Sequence, residues 1–228
     1  MDNILEQKIN YPFKTRSLLM QALIHSSYAN ETKMCPLADN ERLEFLGDAV
    51  LELTVSEYIF NTYPELSEGE LTKLRASVVC EPMLAKLARA IDLGGFLKMG
   101  RGEDLSGGRN RDSILSDALE ALLGAVYKDS SFAEAKALIL RLLQPEITRM
   151  RGEFKLTDGK TYLQEKLQQT SKAPIEYTVV SENGPDHNKI FVVQVKHGGR
   201  TLGTGEGRNK KDAEQKAAVN AIKLLESR

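Results

Sequence analysis

Two domains of different class are predicted: an all-α domain over residues 1–150 and a small α+β domain, ordered α-β-β-β-α, over 158–228, with a linker at 151–157. Three observations carry this. Apolar residues return every three or four places between Arg16 and Val126. They alternate instead in the segments after Gly159. Between the two, TRMRGEFKLTDG (Thr148 to Gly159) loses its apolar periodicity to polar and charged residues, with Asp158 available to cap a following helix.

In the first part, Leu18, Leu19, Ala22 and Leu23 share one helical face, as do Leu84, Leu87, Ala88 and Ile91. Pro36, Pro64, Gly69, Gly94, Gly95 and Ser106-Gly107-Gly108 break the pattern, so the reading is several helices joined by short turns. In the second part Tyr162, Leu163 and Leu167 mark a helix. Ile175, Tyr177 and Val179 alternate, as do Phe191, Val193 and Val195, and both runs read as strands. Thr201 to Gly207 supplies a short glycine-rich third strand, and Ala213, Ala217, Ala218, Ala221, Ile222 and Leu225 mark a last helix. Both helices can then cover one face of a three-stranded antiparallel sheet.

Composition narrows the function class. Hydrophobic residues make up 41% of the 228 and charged residues 28%, the balance of a soluble globular protein. The N-terminal MDNILEQKINYPFKTR lacks a basic stretch followed by an apolar run, and no run of about 18 apolar residues occurs, so neither secretion nor membrane spanning is expected. Cys35 and Cys80 have no metal-ligand spacing and make no disulfide framework, which fits a reducing cytoplasm. The net charge of -1 hides opposed parts: 12 Lys and Arg against 9 Asp and Glu from Thr157 onward, and 19 against 23 before it. A basic module joined to an acidic one suggests affinity for a polyanion beside carboxylate chemistry.

The carboxylates are patterned. In NERLEFLGDAVLEL (Asn40 to Leu53), Glu41, Glu44 and Asp48 fall at i, i+3 and i+7, on one helix stripe, with Leu46, Gly47, Ala49, Val50 and Leu51 around Asp48. Asp117 and Glu120 form an i, i+3 pair in SILSDALEALLGAVY, an apolar stretch without Lys or Arg. Acids in such company take up protons, find partners from another element, or bind metal. Gly47 and Gly124 weaken their helices by about 1 kcal/mol each relative to Ala, which makes sense where two helix backbones approach closely. Packing these helices together would bring Glu44 and Asp48 toward Asp117 and Glu120, an oxygen-only set suited to Mg²⁺ or Mn²⁺ and not to zinc. Phe45 lies beside the acidic stripe and faces either a partner or the core.

These residues are recognisable. NERLEFLGDAVLEL resembles the signature of the ribonuclease III family and SDALEALLGAVY its second acidic motif. ALIHSSY and LTKLRASVV also resemble family segments, and the C-terminal unit resembles a double-stranded-RNA-binding domain. The resemblance covers nearly the whole chain. It implies a Mg²⁺-dependent endoribonuclease, with Mn²⁺ as substitute, that cuts double-stranded RNA as a homodimer, leaves 5′-phosphate and 3′-hydroxyl ends with short 3′ overhangs, and processes ribosomal RNA precursors and some messages. No membrane or DNA partner is expected. By the same resemblance Glu44, Asp48, Asp117 and Glu120 are metal ligands and catalytic core, while Glu41 and Glu68 line the cleavage valley and support RNA engagement or the dimer. For Glu68 a capping acid is the alternative.

Hydrolysis of a phosphodiester needs an activated water, in-line attack and relief of charge on the leaving oxygen, all of which divalent ions supply. His25 reads as a packed or capping residue. In the second domain, similarity assigns Thr161, Gln164 and Glu165 to one minor groove, His187 to the next, and Asn209, Lys210 and Lys211 to the phosphates between. Lys210 and Lys211 also open a helix, whose N-terminal N–H groups favour anions. A duplex-binding regulator that does not cut, and a metal enzyme acting on another phosphodiester, are the rival readings. Intact Asp48, Asp117 and Glu120 count against the first, and the C-terminal unit against the second.

Overall fold

The structure, a computed structural model, describes residues 2–35, 37–157, 159–168, 171, 173–185 and 189–226, with backbone alone at 2, 3, 153–157, 161, 165 and 226. It divides into two compact units, Met1–Thr148 and Arg149–Arg228.

Among the described residues the first unit is helical throughout. Its helices are α1 (Asp2–Ile9), α2 (Arg16–Ala22), α3 (Ser26–Glu31), α4 (Glu41–Thr62), α5 (Glu68–Val78), α6 (Glu81–Ala90), α7 (Arg101–Leu105), α8 (Asp112–Asp129) and α9 (Phe132–Thr157), with short 3₁₀ turns at Leu93–Phe96 and Gly108–Asn110. Helix α8 is the centre. Eleven of its residues, from Ile114 to Val126, are buried, so its apolar residues run almost all the way round, as a helix surrounded by others requires. Helix α4 packs along it, with Leu43 in one cluster with Ala121 and Ala125 and Gly47 against Glu120 and Gly124.

Gly47 and Gly124 explain how close that packing is. A β-carbon on Gly47 would stand 1.8 Å from the carbonyl oxygen of Glu120, and one on Gly124 would stand 2.2 Å from that of Leu43. The helix-weakening glycines thus permit backbone-to-backbone contact, as their positions in the sequence predict. Other ends are fixed by polar groups. Ser67 and Glu70 close a capping box at the start of α5, worth about 1 kcal/mol. Asp129, the last residue of α8, accepts hydrogen bonds from the Tyr11 hydroxyl (2.8 Å) and from the backbone N–H groups of Lys14 (2.9 Å) and Thr15 (2.6 Å), tying down the entry to α2.

The stretch read as a linker at 151–157 is helical in the structure, because α9 continues to Thr157 past Pro145. Its polar composition removes the apolar stripe without removing helix propensity. Asp158 lies outside the described residues.

The second unit contains α10 (Gly159–Gln168), β1 (Ile175–Asn183), β2 (Ile190–His197), β3 (Arg200–Gly207) and α11 (Lys210–Glu226). The strands form one antiparallel sheet in the order β1-β2-β3. Gly198 (φ 54°) and Gly199 (φ 79°) make the turn from β2 to β3, where two successive residues in the left-handed region favour glycine. The core joins Leu163 and Leu167 of α10, Val193 and Val195 of β2, and Ala213, Ala217, Ala218, Ala221 and Ile222 of α11. Gly203, Gly205 and Gly207 let α11 lie directly on β3, since a β-carbon at Gly205 would come within 2.2 Å of the Ala217 nitrogen.

Candidate active site

The close crossing of α4 and α8 puts three acids together. Carboxylate oxygens of Glu44, Asp117 and Glu120 all lie within 4.8 Å of one another, and each side chain is half-buried. No other such group of His, Cys, Asp and Glu occurs among the described residues. Glu120 is the most perturbed. Burial, then the charges of Asp48, Asp117, Glu44 and Glu52, push its carboxyl up to about 8. Glu44 is raised by burial and then by Asp117, Glu41 and Asp48. Asp117 is raised by burial, against the opposing influence of its Ser116 hydrogen bond and of His25.

Burial is the first cause at all three, neighbouring acids add to it at Glu44 and Glu120, and at Asp117 the Ser116 hydrogen bond and His25 oppose it without cancelling it. A divalent cation would offset it. The donors are oxygen only, three of them converge, and they are partly desolvated, which fits a hard ion of the Mg²⁺ class.

Asp48 stands differently from its sequence neighbourhood. It is exposed and lies outside the group of three, although its charge is felt at both Glu44 and Glu120. The apolar residues beside it in the chain point to other faces of α4, where Gly47, Val50 and Leu51 are buried. Glu41 is exposed at the first turn of α4. Glu52, which lies outside the acids expected from the spacing, extends the same stripe one turn beyond Asp48 and contributes to the field at Glu120. That i+11 position relative to Glu41 is the signal that could have found it.

Phe45 is 80% exposed, so the core contact considered for it is not made among the described residues. Glu68 is exposed in the first turn of α5 and accepts a hydrogen bond from the Thr72 hydroxyl (3.1 Å), while the capping work there falls to Ser67 and Glu70. His25 caps α3: its Nδ1 accepts the backbone N–H of Ser27 at 3.3 Å.

In the second unit Gln164, Lys210 and Lys211 are exposed, and Asn209 Oδ1 caps α11 by accepting the N–H of Asp212 at 2.8 Å. Thr161 and Glu165 are described in backbone only, both on α10, and His187 lies outside the described residues.

Residues 15–147 match the Ribonuclease-III-like family and residues 160–225 the double-stranded RNA binding motif. Fold and site together define a nuclease with an acidic metal-type centre and an attached module for duplex RNA. The protein named Ribonuclease 3 of Caldanaerobacter subterraneus subsp. tengcongensis is 52% identical over 221 residues, covering 97% of this chain and 96% of that one. The Ribonuclease 3 of Desulforamulus reducens is 50% identical over 224 residues, 98% and 91% of the two chains. Among solved structures, a nuclease domain of ribonuclease III from Campylobacter jejuni matches with a TM-score of 0.58 at 46% identity, covering 62% of this chain and 95% of that chain. The chain belongs to the ribonuclease III family. It is a metal-dependent endoribonuclease for double-stranded RNA. No described helix is long and apolar enough to cross a membrane.

Proposed function

We propose that Glu44, Asp117 and Glu120, joined by Asp48, hold Mg²⁺, with Mn²⁺ as substitute, and form the catalytic core of this endoribonuclease. The convergence of three half-buried carboxylates within 4.8 Å carries the reading. A bound divalent ion supplies an activated water and relief of charge on the leaving oxygen. The chain's own residues do the rest. Glu120, pushed up to about 8, holds a proton near neutral pH until an ion displaces it. Glu44 and Asp117 fix the donor geometry from two helices that cannot separate without breaking the seam at Gly47 and Gly124. Asp48, exposed at the rim, completes the donor set from the solvent side.

Glu41 and Glu68 act as supports of the cleavage valley. The protein works as a homodimer, a reading supported by Phe45 (80% exposed), Leu53 (58%) and Phe60 (68%) along α4, a concentration of apolar surface that asks for a partner. In the Campylobacter jejuni ribonuclease III, too, a region of the nuclease domain is involved in dimer formation. Two centres then cut the two strands, leaving 5′-phosphate and 3′-hydroxyl ends with short 3′ overhangs. The domains are the catalytic one at 1–150, the connecting residues 151–157, and the RNA-binding one at 158–228, in which Thr161, Gln164, Glu165 and His187 meet minor grooves and Asn209, Lys210 and Lys211 meet phosphates. Ribosomal RNA precursors and some messages, in the cytoplasm, are the substrates.

The test is cleavage of a long end-labelled RNA duplex by the wild-type chain and by Glu120→Gln, with Mg²⁺ or chelator. Cutting by the wild type with Mg²⁺ alone, and retained duplex binding by Glu120→Gln, is the expected result. Undiminished cutting by Glu120→Gln would overturn the assignment.

A further inference from the structure

Two lysines from separate segments of the C-terminal unit converge on one carboxylate and one aromatic ring. Glu182, near the end of β1, pairs in register with Phe191 of β2. Its Oε2 lies 3.1 Å from the ammonium of Lys189, just before β2, and its Oε1 lies 3.4 Å from that of Lys210, the first residue of α11. Both ammoniums also sit over the Phe191 ring, 5.9 Å and 5.7 Å from its centroid. The hydrogen bond from Lys189, together with the weaker influence of Lys210, holds the Glu182 carboxyl below the usual carboxylate range.

Stability is a poor reason for this arrangement. The Lys210 side chain is 60% exposed and those of Lys189 and Glu182 about a third, and ion pairs so wet add little to a fold. Ordering is a better one. Lysine is a point charge on a flexible four-carbon stem, so a phosphate contact made by an unrestrained lysine loses much of its gain to immobilisation. An ammonium has three donors, so one engaged with Glu182 and resting on Phe191 still has donors for a phosphate.

We infer that Glu182 is a positioning residue for duplex RNA: its carboxylate, with the Phe191 ring as floor, holds Lys189 and Lys210 as a preset pair of cations for phosphates. The inference rests on the reading that Lys210 meets phosphates. Charge counting alone gives the opposite sign, because Glu182 is an anion beside a polyanion. That repulsion acts over a longer distance and is screened over about 10 Å in salt, whereas the contacts that order the lysines, at 3.1 Å and 3.4 Å, are shorter than that length and are weakened less.

The experiment measures affinity of the full chain, in chelator to prevent cutting, for a perfect RNA duplex longer than the ~16 base pairs such a domain spans. Glu182→Gln raises Kd by roughly two- to fivefold although the chain becomes less negative. Glu182→Asp recovers part of the loss. In a Lys189→Ala, Lys210→Ala background, Glu182→Gln adds nothing further, and thermal unfolding of each Glu182 variant matches the wild type. Unchanged or tighter binding by Glu182→Gln, where Lys210→Ala weakens binding and flattens its salt dependence, overturns the positioning role alone. If Lys210→Ala leaves both affinity and salt dependence intact, the phosphate reading falls and the inference with it.

Discussion

Gly47 of α4 meets the backbone of Glu120 in α8 so closely that a β-carbon on the glycine would stand 1.8 Å from the Glu120 carbonyl oxygen. The residue that permits the helix crossing thus abuts the residue at the centre of the acidic group. Gly47→Ala should therefore cost more than the roughly 1–3 kcal/mol of ordinary overpacking, because backbone and not a side-chain tip must move. Gly69→Ala is the control: nothing lies within 4 Å of its β-carbon, and loss of unfolded-state entropy should stabilise the chain by about 0.4–1 kcal/mol. Thermal unfolding in the two variants, moving in opposite directions, checks this.

Metal binding should release protons at neutral pH. The folded, ion-free protein keeps Glu120 protonated up to about 8, and an ion requires the carboxylate. Calorimetry of Mg²⁺ binding at pH 7 in buffers of different ionisation enthalpy should show the release, which should shrink as pH rises past 8. Stability follows the same sign. An acid whose folded pKa is raised binds its proton more tightly when folded, so the ion-free fold weakens as pH climbs from the ordinary glutamate range toward 8. Glu120→Gln should show a smaller decline in thermal scans run with chelator, what remains coming from Glu44 and Asp117, whose carboxyls are also raised.

Asp129 shows the opposite behaviour. Burial works against its ionisation, but the N–H groups of Lys14 and Thr15 and the Tyr11 hydroxyl outweigh it and hold the carboxyl below the usual range. The support is present above the ordinary aspartate pKa and is lost as pH falls through the depressed one. Asp129→Asn should lower the melting temperature at pH 7, and the gap to wild type should close in acid.

Thr54 is fully buried in α4, and its hydroxyl has no hydrogen-bond partner among the described residues. Thr54→Val keeps the shape and removes the unpaired group, which should add about 1 kcal/mol, or roughly 2–4 °C in melting temperature. A lower melting temperature would mean that the hydroxyl is satisfied by water.

The acidic centre was legible because its determinants are local: i, i+3 and i+7 spacing fixes which side chains share a face, and Gly47 and Gly124 mark where two faces can touch. The exposure of Asp48 was not, since its apolar neighbours in sequence belong to other faces of the same turn. Contacts across the chain left no trace in composition. Tyr11 and Asp129 are 118 residues apart, and nothing in either segment names the other. The helical run through 149–157 was hidden for a different reason, because a helix without an apolar stripe looks like a linker.

The glycine ladder of β3 fixes where α11 begins on the sheet. With Gly203, Gly205 and Gly207 beneath it, α11 lies backbone against backbone on β3, so any larger residue at these positions would move its first turn away from the sheet. On the proposed phosphate contacts of Lys210 and Lys211, duplexes would be selected at this surface by their own dimensions.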